Sequence, residues 1–154
     1  MPKTLRKFDL PKIITILLVT FVGLVSTVAA QKCLEYETPV TLTGTLHQRV
    51  FAGPPNFESI KHGDAKEIAT LLKLDAPTCT MDDGKNSFNV SYPNIPGMQL
   101  MIYNEDESIS RSWWKTVHHQ MGKRVAVTGL LYGAHTGHHR TNVLIEVTGI
   151  RAAH

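Results

Sequence analysis

Three histidines and an arginine crowd into one short stretch, Gly133-Ala-His-Thr-Gly-His-His-Arg140. An imidazole can hydrogen-bond a ligand, change charge near neutral pH or bind a metal. Thr136 and Gly137 suit the two central positions of a tight hairpin, which would set His135 and His138 opposite each other on one face and turn His139 to the other. Two imidazoles so placed could share a zinc ion, with His47, His62, Glu58 or Asp64 as the third ligand that a zinc site needs. The spacing fits neither the helical His-Glu-x-x-His pattern nor a cysteine-paired finger. The same imidazoles, together with Arg140, could instead bond a ligand directly, so a metal reading and a ligand reading both stand.

The other unusual stretch is residues 51–64, where two aromatics and paired prolines are mixed with polar groups of both charges. Its candidates for ligand contact are Phe51, Asn56, Phe57, Glu58, Lys61 and Asp64, beside His135, His138, His139 and Arg140 in the later stretch. Catalysis needs a nucleophile with a base, a paired acid and base, or a metal with an open position. No Gly-x-Ser-x-Gly occurs, and an enzyme would have to be a metal-dependent hydrolase built on an incomplete histidine site. The expectation is a non-enzymatic binding module that needs no cofactor. The alternative is a zinc-binding or metal-dependent protein using His135 and His138.

These loops need a scaffold. Val40, Leu42 and Leu46 alternate with Thr41, Thr43 and Thr45, the period of two of a half-buried strand. Val40-Thr-Leu-Thr-Gly44, Val125-Ala-Val-Thr-Gly129 and Ile145-Glu-Val-Thr-Gly149 repeat one signature, a glycine closely following apolar strand residues. Glycines inside strands mark bulges or bends, and three of them suggest a sheet that curls. Residues 67–74 read as another apolar strand, and residues 87–103 as a strand or strand pair interrupted by Pro93 and Pro96, with Asp83-Gly84 as a hairpin turn before it. Ile109, Trp113, Val117 and Met121 fall four apart, with acidic residues 105–107 before them and Gly122 after, which predicts a helix. Trp113 or Trp114 would plug the end of the sheet. The predicted fold is mainly β: an OB-fold-like five-stranded barrel with one α-helix between strands 3 and 4. Residues 51–64 and 133–140 are then the two loops flanking the binding face of such a barrel, where they should meet.

Residues 1–30 carry a basic start (Lys3, Arg6, Lys7, Lys12), an uncharged apolar run and a small-residue end at Ala29 and Ala30. This is the make-up of a secretory signal peptide cleaved before Gln31, with an uncleaved membrane anchor as the rival reading. Residues 31–154 then form a single domain, periplasmic or secreted. The signal takes four of the 16 basic and one of the 13 acidic residues, leaving 12 of each in a formally neutral domain. A neutral domain lacks the basic footprint of a non-specific phosphate binder, so nucleic acid is not an expected partner; an envelope component or a protein is. Cys33 and Cys79 are the only cysteines, and an even count in an oxidising compartment predicts one disulfide.

Four segments together resemble a known family: Cys-Leu-Glu-Tyr-Glu from Cys33, Gly-Pro-Pro-Asn-Phe-Glu-Ser-Ile from Gly53, Gly-Lys-Arg-Val-Ala-Val-Thr-Gly from Gly122, and Ala-His-Thr-Gly-His-His from Ala134. The chain resembles, over nearly all of residues 31–154, a family of small exported bacterial domains of unknown function, joined in some members to a lysozyme-inhibitor-like domain. The resemblance implies a periplasmic or envelope setting and brings no activity with it.

Overall fold

The computed structural model describes residues 32–103 and 107–153. The signal segment read in residues 1–30, with its cleavage site, lies outside the described residues. The described part is mainly β, a five-stranded mixed sheet with one helix: β1 (Pro39–Ala52), β2 (Lys66–Thr80), β3 (Tyr92–Met101), α1 (Glu107–His119), β4 (Arg124–Gly133) and β5 (Val143–Ala152). The helix falls between the third and fourth strands, as the apolar spacing predicts. Neighbouring strands run in the order β1-β2-β3-β5-β4, and β1 pairs with both β2 and β4, so the sheet closes on itself. Among the five strands only the β3–β5 pair is parallel: the strands alternate in direction along the chain, and a closed ring with an odd number of strands must bring two of the same sense side by side.

One strand must serve two neighbours, and the glycines show how. Gly44 is opposite Leu74 on β2 and opposite Val125 on β4, at the point where β1 passes from one partner to the other. A Cβ there would sit 2.2 Å from the Lys73 carbonyl oxygen. Gly129 lies at a register break in the β4–β5 ladder, where a Cβ would sit 2.1 Å from the Glu146 carbonyl oxygen. Both are close backbone approaches at bends, as their place in the strands predicts. Gly149 differs: a Cβ there would meet the Thr128 side chain at an ordinary 3.6 Å, so this third glycine is not required by the bend.

The enclosed core is built from alternate residues of every strand, with Leu46, Leu72, Met98, Leu100, Leu131 and Ile145 among its fully buried side chains. The helix adds Val117, buried completely, while Trp113 and Trp114 pack partly buried against the same cluster. Ile109, expected on the buried face, is 43% exposed. A four-residue spacing drifts about 40° per step around a helix, so by Val117 the face has turned well away from Ile109. The chain leaves the helix through Gly122, whose N–H donates to the Leu46 carbonyl and ties the helix end to β1.

Two strand boundaries depart from expectation. β2 continues past residue 74 to Thr80. Residues 92–101 form one strand containing both Pro93 and Pro96, and Phe88 and Val90 lie before it in a connection that also holds Asp83-Gly84. The prolines are tolerated because both are exposed and neither is opposite a β2 partner, where the ladder is interrupted by register shifts between Lys73, Thr78 and Thr80.

Cys33 and Cys79 form a disulfide, with Leu34 bridging to Thr80 beside it. Such a bond belongs in an oxidising, exported location. Among the described residues no helix is long and apolar enough to cross a membrane.

Two measurements test this account. Gly129→Ala should cost about 2–4 kcal/mol in denaturant unfolding, whereas Gly149→Ala should stay within about 0.5 kcal/mol; equal effects would deny the bulge its role. The disulfide closes a loop of 46 residues, so Cys33→Ser/Cys79→Ser should lose on the order of 4 kcal/mol, and the denatured, unreduced protein should show no titratable thiol.

Candidate functional site

The two loops that the sequence singles out do meet, over the outer face of β1 and β2. That face carries His47, Arg49 and Phe51 on β1 and, opposite them, Leu71, Ala69 and Glu67 on β2. Residues 134–142 connect β4 to β5 and fold down onto it. The fastening is a buried amide. Gln99, on β3, donates through Nε2 to the His138 carbonyl at 3.3 Å and accepts the Arg140 N–H at 2.6 Å, while its own N–H donates to Thr141 Oγ1 at 2.9 Å. A polar group that leaves water needs such partners, and here the loop provides them, apart from the Met101 sulfur that Nε2 also meets at 3.3 Å. Asn89 does the same at the loop's root, accepting the Gly133 N–H at 2.9 Å.

Glu67 provides the second fastening. Its carboxylate accepts from His138 Nδ1 at 2.6 Å and from Arg140. Burial opposes ionisation of this carboxyl, but the His138 and Arg140 hydrogen bonds outweigh it and hold Glu67 below the ordinary carboxylate range. Arg140 is nearly buried, with its guanidinium 5.3 Å from the Phe51 ring centre and 5.4 Å from that of Phe57. A cation held between two aromatic faces and paired with a carboxylate is consumed by the structure. Arg140, expected as a contact residue, therefore joins the loops through its bond to Glu67.

Asp64, another charged residue expected at the site, is also engaged within the protein. It is buried, and four donors converge on it: the Asn56 N–H and Nδ2 on Oδ1, and the N–H groups of Glu58 and Ser59 on Oδ2, at 2.8–3.1 Å. These bonds, led by that from Ser59, hold its carboxyl below the ordinary value. Asp64 shapes residues 51–64 through bonds to both of its carboxylate oxygens. Phe57, within this ring of bonds, is held at φ +61, a left-handed conformation that a bulky side chain rarely adopts. Its ring packs edge-on against His138, with centres 5.2 Å apart, and lies against Gly137, where a Cβ would be 3.1 Å from it. Asn56, Glu58 and Lys61 have exposed side chains, and Lys61 with His62 belongs to a short 3-10 turn, Ile60–His62.

The histidines pair differently from the expected hairpin. Thr136 accepts the His139 N–H, so Gly137 and His138 occupy the centre of the turn in place of Thr136 and Gly137. His135 meets His139, ring centres 4.6 Å apart, and its N–H donates to His139 Nδ1 at 3.0 Å. His138 points away, to Glu67 and Phe57. The pair proposed for zinc, His135 and His138, is thus split. Among the described residues no three His, Cys, Asp or Glu groups come together as a metal site. His139, whose Nδ1 is committed as an acceptor, is held below the usual imidazole value by burial and by the neighbouring His135 and His138.

Glu67 and Gln99 went unnoticed in the sequence. The available signal is that each stands in an apolar strand, where a charged or amide side chain demands a partner.

A family described as Domain of unknown function (DUF4431) matches residues 97–151, from late β3 to β5. The match takes in Ala-His-Thr-Gly-His-His but not Gly-Pro-Pro-Asn-Phe-Glu-Ser-Ile, a narrower span than the resemblance implies. No curated protein and no solved structure matches the chain.

Asp64 offers a test by pH. Its folded-state value is depressed, so its contribution is complete above the unfolded value near about 4 and disappears as pH falls through the lower folded value. Asp64→Asn should melt below wild type at pH 7, with the gap closing as pH drops from about 4 towards 2. A gap independent of pH would show that the carboxylate's charge is immaterial.

Proposed function

We propose that this chain is an exported, non-enzymatic binding module on an OB-fold-like barrel, with its recognition surface where residues 51–64 meet residues 133–140. The fold part of this reading is supported by the closed five-stranded order with the helix between β3 and β4. The site part is carried by Phe57, a bulky aromatic residue kept at positive φ by an internal carboxylate and pressed against His138. Strained backbone persists only where its surroundings over-determine it, and it gathers at binding sites. Around this rigid centre stand the exposed Asn56, Glu58, Lys61 and His138, polar groups of both charges on loops that the sheet holds still. The ligand class that suits them is an envelope component, recognised at the periplasmic or secreted location that the disulfide favours.

The test is a thermal-shift series with soluble muropeptides and envelope oligosaccharides on wild type and on Asn56→Ala/His138→Ala. At least one fragment should raise the wild-type melting temperature with rising concentration, and the variant should lose that gain. Fragments that move neither protein, or both alike, overturn the reading.

A further inference from the structure

The outer face of the sheet is only partly covered by residues 134–142. Where the loop stops, at Thr141, a groove of about 240 Å³ begins, lined among others by His47 and Arg49 of β1, Leu71 and Lys73 of β2, and Gly97 of β3. We propose that this groove binds a small organic anion with an apolar body. The proposal rests on the binding-module reading and extends it from the loops to the strands that they border.

Charge carries the argument first. Thr45 is opposite Lys73, His47 opposite Leu71 and Arg49 opposite Ala69, so alternate positions put His47, Arg49 and Lys73 on one face. At about 3.4 Å per residue the backbone positions of the two permanent cations lie roughly 14 Å apart along the strands, one towards each end of the groove, with His47 between. Among the described residues neither Arg49 nor Lys73 has a carboxylate within ion-pair distance, and no acidic side chain lines the groove. The carboxylates nearest in sequence on β2 are already engaged, Asp75 by Arg124 and Glu67 by Arg140 and His138. Arg49 is steadied by the Phe51 ring, 5.2 Å away, whose other guanidinium neighbour, Arg140, is neutralised. Two uncompensated cations beside an apolar surface attract an anion and repel a cation.

Shape and surface supply the rest. Leu71, buried on the outer face, forms an apolar floor beneath the cations. Small-molecule sites range from about 300 to 1,000 Å³, and a groove just under that range suits one or two fused rings better than an extended chain. An anionic group would bond Arg49 or Lys73 while the apolar body lies on Leu71.

The folded, oxidised protein should be titrated at constant ionic strength with 2-naphthoate, with neutral 2-naphthalenemethanol and with inorganic phosphate, following backbone amide shifts. Naphthoate should saturate and move the amides of Arg49, Lys73 and Gly97, with both controls at least tenfold weaker. Arg49→Gln/Lys73→Gln should melt as wild type does and bind naphthoate at least tenfold less tightly; if the double variant melts early, Lys73→Gln alone should still weaken naphthoate severalfold. The proposal is overturned by equal binding of the neutral analogue or of phosphate, by shifts centred elsewhere, or by normally folded variants that bind as wild type does. Envelope fragments acting through Asn56 and His138, without naphthoate binding, would sink the groove and leave the loop reading intact; naphthoate binding with no loop-dependent fragment would do the reverse.

Discussion

Backbone contact at Gly44 and Gly129 is the constraint from which the rest of this structure follows. A sheet of five strands closes only if some strands turn sharply enough to face two neighbours, and β1 does so at Gly44, where it exchanges β2 for β4. At both glycines a carbonyl oxygen of the adjacent strand occupies the place a Cβ would take. Closure in turn divides the molecule in two. Leu46, Leu72, Leu131 and Ile145 face inward and exclude water, with Val117 of α1 buried among them. The opposite side of β1 and β2 projects outward, and everything proposed for function lies there.

Outside, the organising forces are polar, and most of the polar groups are spoken for. Asp64 gathers the N–H groups of its own loop, Gln99 holds the backbone of residues 138–141, and Glu67 joins the two loops through His138 and Arg140. Asp64 and Gln99 have little contact with water and Glu67 is half-buried, so their polar groups need partners and each bond is also a restraint. The loops are thereby held in one arrangement over the sheet. Recognition is left to what this network does not exhaust: the side chains of Glu58 and Lys61, the exposed part of Asn56 and one face of His138 on the loops, and Arg49 and Lys73 on the strands.

The two candidate surfaces are neighbours with different chemistry. The loop surface mixes both charges around an aromatic residue, whereas the groove beyond Thr141 carries only positive charge over an apolar lining. Phe51 connects them, since Arg140 of the loop network and Arg49 of the groove both stack on its ring. A change at Phe51 should therefore be felt on both sides.

Alternation of apolar and polar residues, four-residue apolar spacing and an even cysteine count were enough to predict the strands 40–46 and 125–129, the helix before Gly122 and the Cys33–Cys79 bond. These features are legible because they depend on neighbours in the chain or on a simple count. The unusual loops could also be picked out by composition, and their meeting followed from the predicted strand order. Their internal chemistry could not. Whether Asp64 and Arg140 face a ligand or the protein's own amides and rings depends on how folding closes the loop around Asp64, through Asn56, Glu58 and Ser59, and on what it brings to Arg140 from residues as distant as Glu67 and Gln99. The same holds for the choice of His139 over His138 as partner of His135, which one residue's difference in the turn decides. Residue types and their periodicity alone determined the elements and the scaffold, because local backbone preference and apolar burial repeat along the chain. Only the tertiary structure decided which polar groups are spent and which are left to bind, because a hydrogen bond or ion pair acts over about 3 Å in space whatever the distance in sequence.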